Sequence, residues 1–208
     1  MRKVIVVFAN SVKHGKHCVA GKDIETGEWI RPVKNARGAE LEHNQCFCKN
    51  PYGKYIVKPL QKVDVDLSDH CPLANQPENY IVGDEEWVQQ YKIEAHEVSD
   101  YLDTPETLWG IGNRVAFSDI ENGAIKITQS LYLVRVNDLV IVKTFNDRRR
   151  ASFLYNGNQY DLPVTDPNFE KHLQSPQHQN ILCVSLGEKY VREGNFKSYC
   201  YKIIAAII

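Results

Sequence analysis

The sequence predicts a mostly β protein made of small barrels. Short apolar runs rich in β-branched residues recur between Gly, Asn and Pro residues, a pattern typical of strands joined by tight connections. Each half of the chain holds about four to six such runs, while helical spacing is confined to a few connections. This distribution favours small barrels over a parallel sheet whose strands alternate with helices.

The chain divides most naturally in its middle. Its 208 residues suffice for one large β domain or for two small ones. The most helix-like segment covers residues 84–102, where Asp84 can cap a helix. We therefore expect an N-terminal domain with a helical insertion over residues 1–123 and a C-terminal domain over residues 124–208.

Composition excludes some classes of protein. The formal net charge of -1 argues against a protein that coats nucleic acid by charge alone, although it allows a local basic patch. The apolar runs near the two ends are too short for a secretory signal or a membrane span. Three of the six cysteines, Cys18, Cys183 and Cys200, lie in apolar strand-like sequence. We expect a cytoplasmic protein with free thiols and no membrane partner.

The first candidate binding surface lies between residues 4 and 33. An apolar run over 4–8 predicts a central strand, and two further strands are expected over 16–24 and 28–33. Alternation places Trp29 and Arg31 on one strand face, where an indole ring and a guanidinium group can hold a base and a phosphate. The polar loop before the second strand adds Asn10, Ser11, Lys13 and Lys16. In the alternative interpretation, Trp29 belongs to the core and Arg31 is a surface charge lying over it.

The second candidate surface begins at Arg148-Arg149-Arg150. Strand alternation would place Arg148 and Arg150 on one face, and aromatic residues follow at Phe153, Tyr155 and Tyr160. Basic residues interleaved with aromatic ones suit single-stranded nucleic acid or a nucleotide. The alternative is a solvated strand edge, where positive charge deters edge-to-edge aggregation.

Two further groups of residues carry weaker signals. Cysteines and histidines resemble zinc ligands in kind but not in spacing, at His43, Cys46, Cys48, His70 and Cys71, and again at His14, His17 and Cys18. No metal or cofactor is therefore predicted. Asp64 and Asp66 share a strand face near Asp69 and His70, which fits a metal-dependent nuclease but equally a plain amphipathic strand. Because nucleotide-binding, serine-hydrolase and zinc-protease motifs do not occur, a non-enzymatic protein is favoured.

Several segments together resemble the dual OB-containing domain family of prokaryotic proteins. They cover almost the whole chain, and their order is what matches: residues 10–11, 18–21, 27–33, 153–157, 160–167, 184–188 and 200–205. The resemblance implies two OB-like β-barrels in tandem with a few short helices in the connections. It also implies recognition of nucleic acid or nucleotides, and it supplies no catalytic residues. The Cys/His-rich stretch over 43–71 is not part of the resemblance.

The sequence thus predicts a binding module for single-stranded nucleic acid or a nucleotide, acting by aromatic stacking and phosphate contacts. The predicted site residues are Asn10, Ser11, Lys13, Lys16, Trp29, Arg31, Arg148 and Arg150. Two alternatives stay open. One is a module that binds a protein partner beside a toxin or defence effector, which the near-neutral charge favours. The other is a metal-dependent hydrolase that uses Asp64, Asp66 and His70.

Overall fold

The computed structural model describes residues 1–13, 15–174, 180–191, 194 and 196–208, except for the side chain of Lys13. Contacts divide this chain into two compact units. The first comprises Met1–Leu73 and Glu78–Leu102, and the second comprises Ala74–Pro77 and Asp103–Ile208. This division describes contacts, and the domain boundary expected between residues 123 and 124 stays a prediction.

Strands form most of the regular structure. The first unit contains β1 (Arg2–Lys13), β2 (Lys16–Asp23), β3 (Trp29–Val33), β4 (Phe47–Asn50), β5 (Gly53–Ile56), β6 (Gln61–His70), β7 (Asn79–Val82) and β8 (Trp87–Lys92), with 3₁₀ helices at His43–Cys46 and Ala95–Tyr101. The second unit contains β9 (Arg114–Ala116), α1 (Phe117–Glu121), β10 (Leu131–Arg135), β11 (Asn137–Lys143), β12 (Arg149–Tyr155), β13 (Asn158–Pro163), α2 (Phe169–Gln174), β14 (Ile181–Val191) and β15 (Ser198–Ile207). The predicted mostly β class with a few short helices is confirmed.

Five strands of the first unit close a barrel. Their order is β1-β2-β3-β7-β6, and β6 pairs again with β1. These pairs are antiparallel except for β3 with β7. Strand β1 is apolar and fully buried from Ile5 to Phe8, as pairing on both edges and burial on both faces require. The predicted central strand is confirmed.

The second unit repeats this strand order in two sheets. Strands β10 and β11 follow each other across Val136 and pair with β14 and β12 respectively. Strand β12 pairs with β13, and β14 pairs with β15. A parallel bridge between Val164 and Ile204 takes the place of the parallel β3–β7 pair. A closed barrel and a more open one therefore follow each other along the chain, as expected for OB-like barrels in tandem.

The helix predicted over residues 84–102 is wrong in its first part. Residues Trp87–Lys92 form β8, which pairs with β6 on one side and with β4 on the other, and only Ala95–Tyr101 is helical. Apolar residues at 87, 88 and 91 give partial helical spacing, but an indole on one face and solvent on the other suit a strand equally well. Pairing with two neighbours decided the outcome, which sequence spacing alone does not reveal.

Gly21 lies where β1 bends. It stands in β2 opposite Val7, beside a bulge between Val7 and Ala9. A Cβ atom at this position would lie 2.4 Å from the carbonyl oxygen of Val6, deep inside van der Waals contact with backbone. We predict that Gly21→Ala lowers the free energy of unfolding of the first unit by about 3 kcal/mol, as in an overpacked core.

Urea unfolding followed by tryptophan fluorescence measures this loss. Gly27→Ala is the matched control, because Gly27 has a φ of 73° and no atom lies within 4 Å of an added Cβ. That control carries only the cost of left-handed backbone, about 1 kcal/mol. Equal losses in the two variants would contradict the close approach at Gly21.

Candidate nucleic-acid interface

Trp29 and Arg31 lie inside the protein. Trp29 is 4% exposed, and its ring packs edge-on against Phe8 at 6.0 Å between centroids. Arg31 is buried as well, with Nε 3.4 Å from Glu78 Oε1. Trp29 therefore has the core position that the alternative interpretation gave it, while Arg31 is a buried ion-pair partner rather than a surface charge. Binding of a base and a phosphate by Trp29 and Arg31 stays a prediction, and the buried Trp29 ring gives it no support.

Asn10 belongs to a buried hydrogen-bonded relay in the first unit. Its Nδ2 donates to the carbonyl oxygen of Val57 at 2.7 Å, so its Oδ1 is left to accept from His17 Nδ1 at 2.8 Å. His17 Nε2 then accepts from His43 Nδ1, 3.0 Å away. The relay thus fixes both imidazole tautomers and leaves Nε2 of the exposed His43 as an acceptor toward solvent.

Burial governs the charge of this relay. His17 is 5% exposed, and desolvation, helped by the neighbouring His43, lowers its pKa below the usual histidine value. A neutral His17 matches the tautomer that Asn10 imposes. Ser11 beside it is buried, while the side chain of Lys13 and all of His14 lie outside the described residues.

Lys16 already has an anionic partner. Its ammonium contacts the carboxylate of Glu42, and Lys34 Nζ lies 2.9 Å from the same Glu42 oxygen. These two hydrogen bonds, that of Lys16 first, hold the pKa of Glu42 at about 2. The Lys16 charge predicted for a phosphate is therefore shared with a carboxylate in this structure.

The structure does not assemble the candidate metal ligands. Within the described ranges, no three His, Cys, Asp or Glu side chains come together in a way that could hold a metal ion. Cys46 and Cys48 are buried, and desolvation raises the pKa of the Cys46 thiol to about 12. His70 packs against the ring of Tyr80 instead, with centroids 4.6 Å apart.

The carboxylates of the hydrolase hypothesis have separate partners. Asp64 Oδ1 accepts from Arg2 Nε at 2.8 Å, and Asp66 Oδ2 accepts from the backbone N–H of Glu85 at 3.0 Å. Each oxygen is engaged by a different element of the first unit. The arrangement fits an amphipathic strand, the alternative left open by the sequence.

Arg148 and Arg150 differ in their surroundings. Arg150 is bidentate on Asp161, with Nη2 2.9 Å from Oδ2 and Nε 3.1 Å from Oδ1. Arg148 is exposed just before β12 and makes none of the ion pairs found among the described residues. The aromatic residues interleaved with them point inward, because alternation along β12 and β13 turns Phe153 and Tyr160 into the core, stacked at 5.5 Å.

A cluster that was not predicted from the sequence lies on β9, β14 and β15. It consists of Arg114, Tyr190, Tyr199 and Tyr201, hereafter the Arg114–tyrosine cluster. Tyr190 stands opposite Tyr199, and Arg114 stands opposite Tyr201. The guanidinium carbon of Arg114 lies 4.1 Å from the centroid of the Tyr199 ring, and its Nη1 donates to the Tyr201 hydroxyl at 3.3 Å.

The cluster faces solvent. Arg114 is exposed and Tyr190 is 53% exposed, while Tyr199 and Tyr201 are half-buried. The hydrogen bond to Tyr201 raises the pKa of Arg114, so the guanidinium is always charged. The signal for this face was present in Tyr199-Cys200-Tyr201, since a buried Cys200 turns both tyrosines outward.

A buried lysine holds the loop that precedes Arg114. Lys202 is fully buried and donates to the carbonyl oxygens of Gly110 at 2.7 Å and of Gly112 at 2.9 Å. Its ammonium also lies 5.3 Å from the centroid of the Tyr160 ring. Desolvation lowers the pKa of Lys202 to about 8. The loop that leads into β9 is thereby fastened to β15 from inside the unit.

The strand order of the two units is that of OB folds, a class in which many members bind oligonucleotides or oligosaccharides. Residues 3–207 match the dual OB-containing domain family, and the chain belongs to that family. No curated protein matches the chain. None of the described helices is long and apolar enough to cross a membrane.

Among solved structures, the chain is similar to the one titled crystal structure of the tetrameric p202 HIN2. Identity is 11% and the TM-score is 0.29, over 100% of this chain and 93% of that chain. A similarity at this level carries no argument about function.

The relay gives a pH-dependent prediction. Because the pKa of His17 is lowered in the folded state, the unfolded chain binds more protons between that lowered value and the ordinary histidine value of about 6.5. The contribution of neutral His17 to the free energy of unfolding is therefore complete above about pH 6.5 and is lost as the pH falls. Lowering the pH from 7.5 to 5 should reduce the free energy of unfolding more in the natural chain than in His17→Gln.

Urea unfolding of both proteins at the two pH values gives this double difference. Titrating groups other than the neighbouring His43 are common to both chains and cancel, so the difference reports on the relay. An equal loss of stability in the natural chain and in His17→Gln would show that His17 is not held neutral.

Proposed function

We propose that the chain binds single-stranded nucleic acid through the Arg114–tyrosine cluster. One observation carries the proposal: an exposed guanidinium, held by two tyrosines, that takes part in none of the ion pairs among the described residues. Such a group is available to a phosphate, and the rings around it are available to bases. Membership of a dual OB family supports a fold of the nucleic-acid-binding type.

The tyrosines supply contacts that do not depend on sequence. Tyr190 and Tyr201 meet at 6.0 Å in a T-shaped arrangement, and Tyr199 and Tyr201 lie 6.5 Å apart. Base stacking on such rings contributes about 1–3 kcal/mol per base and tolerates every base. A strand running across β9, β15 and β14 would meet the arginine and then successive rings.

Ion pairing elsewhere reduces the positive charge that is available to nucleic acid. Ten of the described lysine and arginine side chains touch a carboxylate: Arg2, Lys3, Lys16, Arg31, Lys34, Lys54, Lys143, Arg149, Arg150 and Lys189. Together with a net charge of -1, this pairing leaves little field for coating a duplex. A few unpaired contacts and stacking fit the molecule better than bulk charge does.

The hairpin before β12 is a second proposed contact. It connects the first two strands of the second barrel, a loop position that OB folds use for ligands. Arg148 is exposed there, and the Phe145 ring is fully exposed beside it. Arg148 therefore stays in the proposed binding surface. Arg150 would have to break its ion pair with Asp161 before it could bind a phosphate.

A protein partner is the second candidate function. Strand β11 pairs with β12 along one edge, and Val140 and Val142 on it are 53% and 43% exposed. Phe145 is exposed two residues beyond the end of this edge strand, and exposed apolar residues on a strand edge are a feature that protein partners use. The hydrolase alternative has no such supporting observation among the described residues.

Removing the guanidinium tests the main proposal. Arg114→Ala should weaken binding of a fluorescent oligonucleotide of about ten nucleotides at least tenfold, because a charge-assisted hydrogen bond contributes about 1.5–3 kcal/mol. Fluorescence anisotropy at fixed salt measures the dissociation constant. Arg2→Ala is the control, since Arg2 is paired with Asp64. Equal affinities for the natural chain and Arg114→Ala would remove the cluster from the proposal.

Salt dependence separates charge from stacking. The slope of log affinity against log salt should shrink by about 0.7 in Arg114→Ala, as expected for one lost phosphate contact to a single strand. The double variant Tyr199→Phe and Tyr201→Phe keeps the rings and should keep most of the affinity. Replacing both tyrosines by alanine should weaken binding without the same change in slope. A slope near zero in the natural chain would favour the protein-partner alternative.

A further inference from the structure

A cavity lies directly beside the Arg114–tyrosine cluster. Its volume is about 610 Å³, within the range of roughly 300–1,000 Å³ that small-molecule sites occupy. Tyr199 belongs both to the cavity wall and to the cluster. Phe196, which is fully exposed, adds a second ring to the wall. A base leaving the stacked strand has two aromatic surfaces available here.

The acidic side chains of the cavity differ in availability. Glu121 Oε1 lies 3.4 Å from the ammonium of Lys189, which also lies 4.2 Å from the Phe117 ring centroid. Asp119 Oδ1 accepts a hydrogen bond from the Ser118 hydroxyl at 3.3 Å. Among the described residues, that is the one side-chain hydrogen bond that the Asp119 carboxylate accepts. Asp119 therefore presents further acceptor capacity to a ligand in the cavity.

The chemistry of that carboxylate selects among the bases. A carboxylate accepts two parallel hydrogen bonds when a ligand offers two adjacent donors. Guanine alone offers adjacent N–H donors on its Watson–Crick edge, from N1 and from the exocyclic N2. Adenine and cytosine place an acceptor next to their amino group, and thymine and uracil have one donor between two acceptors. An acceptor aimed at a base edge without a matching donor is unfavourable.

We propose that this cavity binds a guanine base of the single strand, with Asp119 accepting from guanine N1 and N2. The ring lies against Tyr199 and Phe196, and Lys189 in the cavity wall offsets the negative charge brought by the carboxylates. The inference rests on the proposed function, because the base reaches the cavity as part of a strand held by the neighbouring cluster. It adds a base preference to a surface that stacking alone leaves without one.

The test compares oligonucleotides that differ in one base. Eleven-residue oligothymidines with a central thymine, guanine or hypoxanthine are titrated into the full chain at fixed salt. Hypoxanthine lacks the N2 amino group and so removes one of the two donors. The natural chain should bind the guanine oligonucleotide at least tenfold more tightly than the thymine one, with the hypoxanthine one between them, since a good bidentate pair discriminates by about that much.

Asp119→Asn is the decisive variant, because its amide has one donor and one acceptor. It should bind all three oligonucleotides with the affinity that the natural chain has for oligothymidine. Asp138→Asn, an exposed change on β11 outside the cavity, should keep the guanine preference. Equal binding of the three oligonucleotides by the natural chain, or a guanine preference retained in Asp119→Asn, would overturn the inference while leaving the proposed function intact.

Absence of binding to every oligonucleotide would instead overturn the proposed function. In that case, calorimetry with guanosine and inosine monophosphates tests the cavity by itself. A preference for the guanosine nucleotide that Asp119→Asn abolishes would still support the site, and binding of neither nucleotide would overturn it.

Discussion

In each unit, closure depends on how the first long strand path pairs with the strands on its two sides. In the first unit, β1 runs unbroken between β2 and β6, so it must be apolar on both faces and must bend sharply near Val7. In the second unit, the same path is divided at Val136 between β10 and β11. The bend is accommodated by a bulge in one case and by an interruption in the other. Closure is therefore tighter in the first unit, and the second unit is left with an open strand edge.

Alternation along the strands determines which chemistry reaches the surface. Successive residues of β15 face opposite sides, so Cys200 lies in the core while Tyr199 and Tyr201 face outward. The same rule turns Phe153 inward on β12, next to arginines that stay near solvent. In a barrel of this kind, only the side chains at outward positions are accessible to a ligand. Paired ions neutralise many of these positions, and the remaining ones, such as Arg114, stand out against a near-neutral background.

The sequence predicted the fold better than the site, for a physical reason. Strand runs, turn residues and family-like segments are local patterns, and they gave the mostly β class and the central first strand correctly. Ion pairs and ring contacts join residues that are distant in the sequence. Arg31 meets Glu78, and Trp29 packs against Phe8, only after folding. No local pattern reveals such partners, so Trp29 and Arg31 looked available to a ligand. The Tyr199-Cys200-Tyr201 alternation is local, so the sequence alone is enough to predict that these two tyrosines share an outward face.

The four residues Ala74–Pro77 belong to the second unit although they interrupt the first one between β6 and β7. Asn75 Nδ2 donates to the carbonyl oxygen of Gly187 at 3.2 Å, across more than a hundred residues of chain. The two units are consequently interleaved in the order of synthesis. During synthesis, residues 74–77 emerge before β14, the strand that Asn75 contacts in the folded chain. A chain cut after residue 102 would therefore carry Asn75 away from the β14 carbonyl oxygen that it contacts.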